Sequence, residues 1–285
     1  MARVGIIGGS GLYDMEGLED PKWVSVDTPY GKPSDEYLTA ELSGKEIAFL
    51  PRHGRGHKLL PSELNYRANI YGMKSLGVEY ILSVSAVGSL REEIKPLDFL
   101  IPDQYVDRTN QSRKTTFFGD GIVAHIGFAN PSCDILNKLI YQAGKTLGLN
   151  MHGKGTYLNM EGPAFSTKAE SNLYRSWGMD VIGMTNMPEA RCAREAEICY
   201  STLAMITDYD CWHDSEDVSI DMIIQNLLKN VENAKKILKE VIPAIPQTRD
   251  CICSSALKEA IITDKDLIPE DTKKKLDIII GKYIK

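Results

Sequence analysis

The chain has 285 residues, 43% of them hydrophobic and 25% charged, with a formal net charge of -6. This composition fits a globular α/β protein with room for a sizeable core, and it excludes a nucleic-acid-binding surface, which needs an excess of Lys and Arg to displace counterions. The start, MARVGIIGGSGLYD, carries one basic residue and a short apolar run broken by glycines, so neither a signal peptide nor a membrane span is expected, and the expected compartment is the cytoplasm.

From the N-terminus, ARVGIIGG reads as a strand entering a glycine turn, and EIAFLPRHG as another that ends at Pro51. PSELNYRANIYGMKSLG has helical spacing and a glycine stop at Gly77. VEYILSVSAVGS is too apolar for a surface strand and is expected at the centre of a sheet, buried on both faces. LDFLIPDQYVD, KGTYLNMEG, DVIGMTN and YSTLAMITD read as further strands, with helices over 133–147, 167–176 and 188–198 between them. The spacing then predicts a helix near 221–242. Its stripe of Ile223, Ile224, Leu227, Leu228, Val231, Ile237, Leu238 and Val241 is expected to pack on the sheet, with Lys and Asn opposite. The tail beyond 250 predicts one or two terminal helices docked on the body or on a neighbour. No linker, repeat or low-complexity tract interrupts the pattern, so residues 1–285 are expected to form one domain.

Several strand ends carry chemistry. Gly8, Gly9, Ser10 and Gly11 follow the first strand, where a turn poor in side chains can aim backbone N–H groups at an anion; a tight turn without a ligand has the same pattern. LPRHGRGHKLLP gathers Arg52, His53, Arg55, His57 and Lys58, which is either an oxyanion site or a solvated basic loop. Ser85, Ala86 and Gly88 permit close approach to a backbone, Met184 and Thr185 end another strand, and Pro188 suits the first turn of a helix. Glu161, Phe165 and Ser166 surround a Gly-Pro turn, where Phe165 either stacks on a flat ring or simply packs. Asp208 and Asp210 close the last strand as a helix-capping turn or as carboxylates aimed at a ligand.

The six cysteines are too sparse for a disulfide scaffold. Cys133, Cys192, Cys199 and Cys211 read as packing residues. Cys251 and Cys253 form a C-x-C that lacks the second pair or nearby His of a zinc site, so free thiols are expected, with a disulfide as the alternative; no metal is expected.

Taken in order, GIIGGSGL, PRHGRGH, AVGSLREEI, EGPAFSTKAES, GMTNMPEA and TDYDCW closely resemble the trimeric purine nucleoside phosphorylase family, in particular its methylthioadenosine-cleaving branch, from about residue 3 to 242. The resemblance implies an α/β fold with a mixed, partly barrel-like central sheet flanked by helices, and assembly as a trimer or a pair of trimers. It assigns inorganic phosphate, a co-substrate rather than a cofactor, to Ser10, Arg52, His53, Ser85, the Ala86 backbone and Thr185. Met184 is placed under the ribose and Phe165 on the base, with Ser166 and Thr207 lining the purine pocket, while His125 reaches a neighbouring subunit's 5' end. Asp208 is then the acid that protonates the departing purine at N7, and Asp210 binds the 6-amino edge and holds the pair's shared proton. The carboxylates favour an adenine nucleoside, and Ile220, Ile223 and Ile224 offer an aliphatic wall to a 5'-methylthio group, with Leu267 the tail's expected contribution. A 5'-methylthioinosine or broad purine nucleoside substrate is the alternative, and a non-catalytic sensor or a nucleoside hydrolase are the rival functions.

Overall fold

The computed structural model describes residues 3–9, 11–110, 112–213 and 220–284, with the side chain of Ile220 outside the description. Among these, the strands are β1 (Arg3–Gly8), β2 (Glu19–Val24), β3 (Tyr37–Leu42), β4 (Lys45–Pro51), β5 (Val78–Ser89), β6 (Phe99–Leu100), β7 (Gln104–Arg108), β8 (Met151–His152), β9 (Thr156–Met160), β10 (Val181–Gly183) and β11 (Cys199–Tyr209). The helices are α1 (Tyr66–Ser75), α2 (Asp134–Thr146), α3 (Lys168–Ser176), α4 (Asn186–Glu195), α5 (Ile220–Ala244) and α6 (Glu270–Ile284).

The strands form one mixed sheet of order β2-β3-β4-β1-β5-β10-β9-β7, from which β11, β6 and β8 branch off at β5. Central β5 is almost wholly buried, as its apolar run predicts. One of its edges pairs along its length with β11. The other edge is shared: parallel β1 leaves at the Ile7–Ser83 pair, and antiparallel β10 joins only at Gly88. Between those points no described strand pairs with that edge, so its backbone groups are left to side chains or a ligand.

Helices cover both faces. α1, α4 and α6 bury Ile70, Met73, Ala190, Ala193, Leu276 and Ile280 in one core, and α2 and α5 bury Leu136, Ile140, Ala234, Ile237 and Val241 in the other. Local chemistry sets the helix ends. The Asn65 side chain accepts from the Ala68 N–H and Gly77 closes α1 at φ 79°, while Thr167 and Glu170 form a reciprocal capping box at α3. The tail supplies two short 3-10 helices, Ile252–Ser255 and Lys265–Leu267, and one α-helix, α6, docked on α1.

One strand goes beyond the sequence expectations, and three of those expectations change. The edge strand β2, which pairs β3, carries no pattern to read: EDPKWV is exposed along nearly its whole length and contains a proline, so it lacks the alternation of a half-buried strand. LDFLIPDQYVD is two strands separated at Ile101–Asp103, with β6 pairing β11 and β7 pairing β9. α4 begins two residues before Pro188, which its first turn tolerates, and ends at Glu195. On α5, Ile224 and Leu228 are 48% and 62% exposed, while Asn226 and Asn230 face inward to β11.

Candidate functional site

A cavity of about 400 Å³ opens where β5 loses its second partner, lined along that strand by Val84, Ser85, Ala86, Val87 and Gly88. Ala86 is exposed in the middle of an otherwise buried strand because the cavity lies over it. Thr185, buried at the N-cap of α4, lines the same space, and its side chain makes no capping bond to the helix. Gly9 is also on the wall; Ser10 lies outside the described residues.

The basic stretch after β4 divides in two. Arg52 and His53 face the cavity, with His57 stacked on His53 at 4.3 Å between ring centroids. Arg55 turns outward to Asp35 and Glu36 and covers the Trp23 ring. Arg52 is buried, and its partner is a carboxylate, not only a prospective oxyanion: it pairs with Glu189 of α4, which is fully buried. Its Nη2 also reaches the Ser83 hydroxyl at 2.7 Å, and Nη1 donates to the Val84 carbonyl at 2.9 Å. Nη1 has two hydrogens, so one remains for a cavity ligand. Glu189 further accepts from the Ser83 and Tyr200 hydroxyls at 3.0 Å each. Burial, together with the Arg52 and His57 charges and against the Leu59 carbonyl bond, lowers the His53 pKa to about 4. With Nδ1 bound to the Leu59 carbonyl at 2.8 Å, the neutral ring turns Nε2 outward as an acceptor.

The acidic end is built by an irregularity in β11. Its register against β5 runs evenly to the Ile206–Val87 pair, then skips, so that Asp208 pairs with Gly88. This bulge at Thr207 breaks the alternation of faces. Met205 and Thr207 before it and Asp208 and Asp210 after it therefore all face the cavity, which a regular strand could not achieve. Asn226 donates to the Thr207 carbonyl and Asn230 to the Ile206 carbonyl, both at 2.8 Å, holding the irregular backbone from α5.

Burial raises the Asp208 carboxyl to about 6, against a 2.6 Å hydrogen bond from the Thr207 hydroxyl, with a smaller push from the Asp210 charge. Burial also raises the Asp210 carboxyl, and its Oδ2 is buried with no hydrogen-bond partner. No hydrogen bond joins the two carboxyls among the described contacts, and Asp210 acts on Asp208 through its charge.

Phe165 stands at the rim of the cavity, 68% exposed, and Met184 lies deeper, its carbonyl fixed by Arg113 and by Asn159 at 3.2 Å. Ile223, Leu227 and Val231, one face of α5, provide an aliphatic wall. Ile224 is not part of that wall. Ser166 does not line the cavity; it is buried behind it, its hydroxyl on the Met160 sulfur at 3.8 Å. His125 is remote and exposed, on a second cavity of about 410 Å³ with Arg194 and Lys258. Leu267, 75% exposed in a short turn, is likewise outside the first cavity.

Glu189, Asn226 and Asn230 were missed by sequence reasoning. Glu189 follows a proline in the first turn of a helix and has the pattern of an ordinary capping acid. Asn226 and Asn230 did carry a signal: they are spaced i, i+4, on the edge of an apolar stripe. The C-x-C is also less isolated than its sequence suggests, because folding brings Cys133 and Cys199 to Cys251 and Cys253, with all four sulfurs within 4.8 Å of one another.

The family model for the phosphorylase superfamily matches residues 3–243. The chain is 60% identical over 282 residues to S-methyl-5'-thioadenosine phosphorylase of Geobacter sulfurreducens, covering 99% of each. Among solved structures, a methylthioadenosine phosphorylase from an antarctic soil metagenomic library is similar with a TM-score of 0.93 at 50% identity, covering 98% of each chain. The methylthioadenosine phosphorylase of Schistosoma mansoni in complex with adenine gives 0.82 at 34% identity, covering 90% of this chain and 96% of that one.

Proposed function

The chain belongs to the phosphorylase superfamily, and on that premise we propose that it cleaves S-methyl-5'-thioadenosine with inorganic phosphate, giving adenine and 5-methylthioribose 1-phosphate. The observation that carries this reading is a buried carboxyl with a raised pKa, Asp208, sharing one cavity with an arginine, a helix N-terminus and an unpaired strand edge.

Phosphate sits against the Ala86 backbone, the Ser85 and Thr185 hydroxyls, the remaining Nη1 hydrogen of Arg52 and, through its own hydroxyl, Nε2 of His53, with Ser10 the further ligand outside the described residues. Glu189 already balances Arg52, so the backbone donors and the α4 N-terminus carry much of the anion's charge. As a phosphate oxygen bonds to C1' and the C1'–N9 bond breaks, the electron pair passes to the purine, and Asp208 delivers its proton at N7. Bound purine excludes water from Asp208 and raises its pKa further, which keeps the acid protonated at neutral pH. The Asp210 carboxylate, on the cavity wall, accepts from the 6-amino group. Phe165 covers the base, Met184 lies under the ribose, and Thr207 fixes the Asp208 carboxyl.

Ile223, Leu227 and Val231 take the 5'-methylthio group, a contact worth on the order of 1–2 kcal/mol over a hydroxyl. His125 and Leu267, exposed and away from this cavity, complete a neighbour's site in a homotrimer or a pair of trimers, along a surface where Val123, Ile252 and Ile262 are also exposed. The reaction needs no cofactor. No helix among the described residues is long and apolar enough to cross a membrane.

The test is adenine release from methylthioadenosine with and without phosphate. Strict phosphate dependence is expected; release without phosphate points to hydrolysis, and no release to a sensor. Methylthioinosine and inosine in the same assay report the base preference.

A further inference from the structure

Cys133 caps α2, Cys199 opens β11, and Cys251 and Cys253 flank Ile252 in the tail, so three separate parts of the chain send sulfurs to one point. All four sulfurs lie within 4.8 Å of one another, and Cys133, Cys199 and Cys253 are buried. Ile252 points away, 63% exposed. Ordinary packing of cysteines in an apolar core gives no reason for four sulfurs to converge, since thiols are weak donors and acceptors.

We propose that Cys133, Cys199, Cys251 and Cys253 form a tetrahedral thiolate site for a structural zinc ion. A zinc–sulfur bond of about 2.3 Å sets sulfur–sulfur edges of about 3.8 Å in a tetrahedron, and one pair, Cys199 with Cys251, stands at 3.3 Å. The ligand set contains no oxygen or nitrogen, which selects a soft-binding metal over magnesium or calcium. On binding, the four thiols release their protons and leave a doubly negative complex. The N-terminal end of α2, where Cys133 sits, favours that charge. The ion ties the tail to the start of the strand that ends at Asp208, and to α2. It lies outside the nucleoside cavity and takes no part in the reaction.

Metal analysis of the full chain, purified without chelators or an affinity tag that binds metal, is expected to find one zinc per chain. The Cys251→Ser/Cys253→Ser double variant loses it and melts at a lower temperature. Cobalt replacing the zinc gives the visible bands and near-ultraviolet thiolate absorption of a tetrahedral sulfur site. The proposal is overturned by any of three results on the unmodified chain, none of which depends on the variant folding: no stoichiometric metal with all four thiols alkylating equally with and without added zinc, iron in place of zinc, or an intact mass showing these cysteines paired as disulfides.

Discussion

Arg52 and Glu189 form a two-point ion pair in the interior, with side chains 3% and 0% exposed, directly beneath the proposed phosphate position. The pair joins the end of β4 to the first turn of α4 and leaves Arg52 a single donor for the cavity. Removing one member of such a pair leaves the other charged and uncompensated. Glu189→Gln is therefore expected to cost about 3–5 kcal/mol in denaturant unfolding. Added phosphate should restore more stability to this variant than to the parent, because the anion supplies the missing charge. Equal stabilisation of both proteins by phosphate would falsify this account of the pair.

Asp208→Asn should lose most turnover on methylthioadenosine while gaining stability at neutral pH. The Asp208 carboxyl rises from 3.8 unfolded to about 6 folded, so between those values the native state binds more protons than the unfolded chain. Native stability thus falls as pH rises through that window, by an amount on the order of 3 kcal/mol for a shift of this size. Asparagine does not titrate. Melting curves of the two proteins should coincide in this respect below about pH 4 and separate, variant above parent, as pH passes 6. A gap that is constant with pH would mean that the carboxyl is not held neutral by the fold.

The Thr207 bulge depends on α5. Asn226→Ala leaves the Thr207 carbonyl without its 2.8 Å donor, at a cost of about 1–3 kcal/mol. Turnover should fall with little change in the KM for phosphate, because the acid moves and the anion site does not. A variant that loses phosphate affinity instead would place Asn226 in the wrong half of the site.

Ile223→Ser should narrow the preference for methylthioadenosine over adenosine by about tenfold in kcat/KM, the value of one buried methylthio contact. Ile224→Ser, on the exposed side of the helix, should leave the ratio unchanged in the isolated subunit's pocket. Comparing the two variants on both nucleosides separates a wall residue from a surface one.

The parts legible in the sequence are those where a local pattern and the tertiary structure agree. β5 and β11 announce themselves as long apolar runs, α1 by Asn65 and Gly77, and α3 by its Thr167–Glu170 box. The edge strand β2 was illegible because it buries almost nothing, so no periodicity marks it. Arg52 was recognisable as a site residue, but its partner Glu189 lies 137 positions away, and no spacing rule connects them. The skip at Thr207 is a property of the pairing with β5 and cannot be read from β11 alone. The cysteine cluster was hidden for the same reason: its members are local neighbours only in the C-x-C.

Because the consecutive residues Thr207 and Asp208 share the pocket only by courtesy of one surplus residue, the last strand should be permissive in composition yet intolerant of changes in length. Deleting Thr207 would restore regular alternation with both acids still facing the pocket, but would remove the hydroxyl that fixes the Asp208 carboxyl and the carbonyl that Asn226 holds, leaving a protein that still folds but expels adenine poorly. Conservative replacements such as Ile206→Val should pass almost unnoticed. Indels here ought to silence the enzyme far more often than they unfold it.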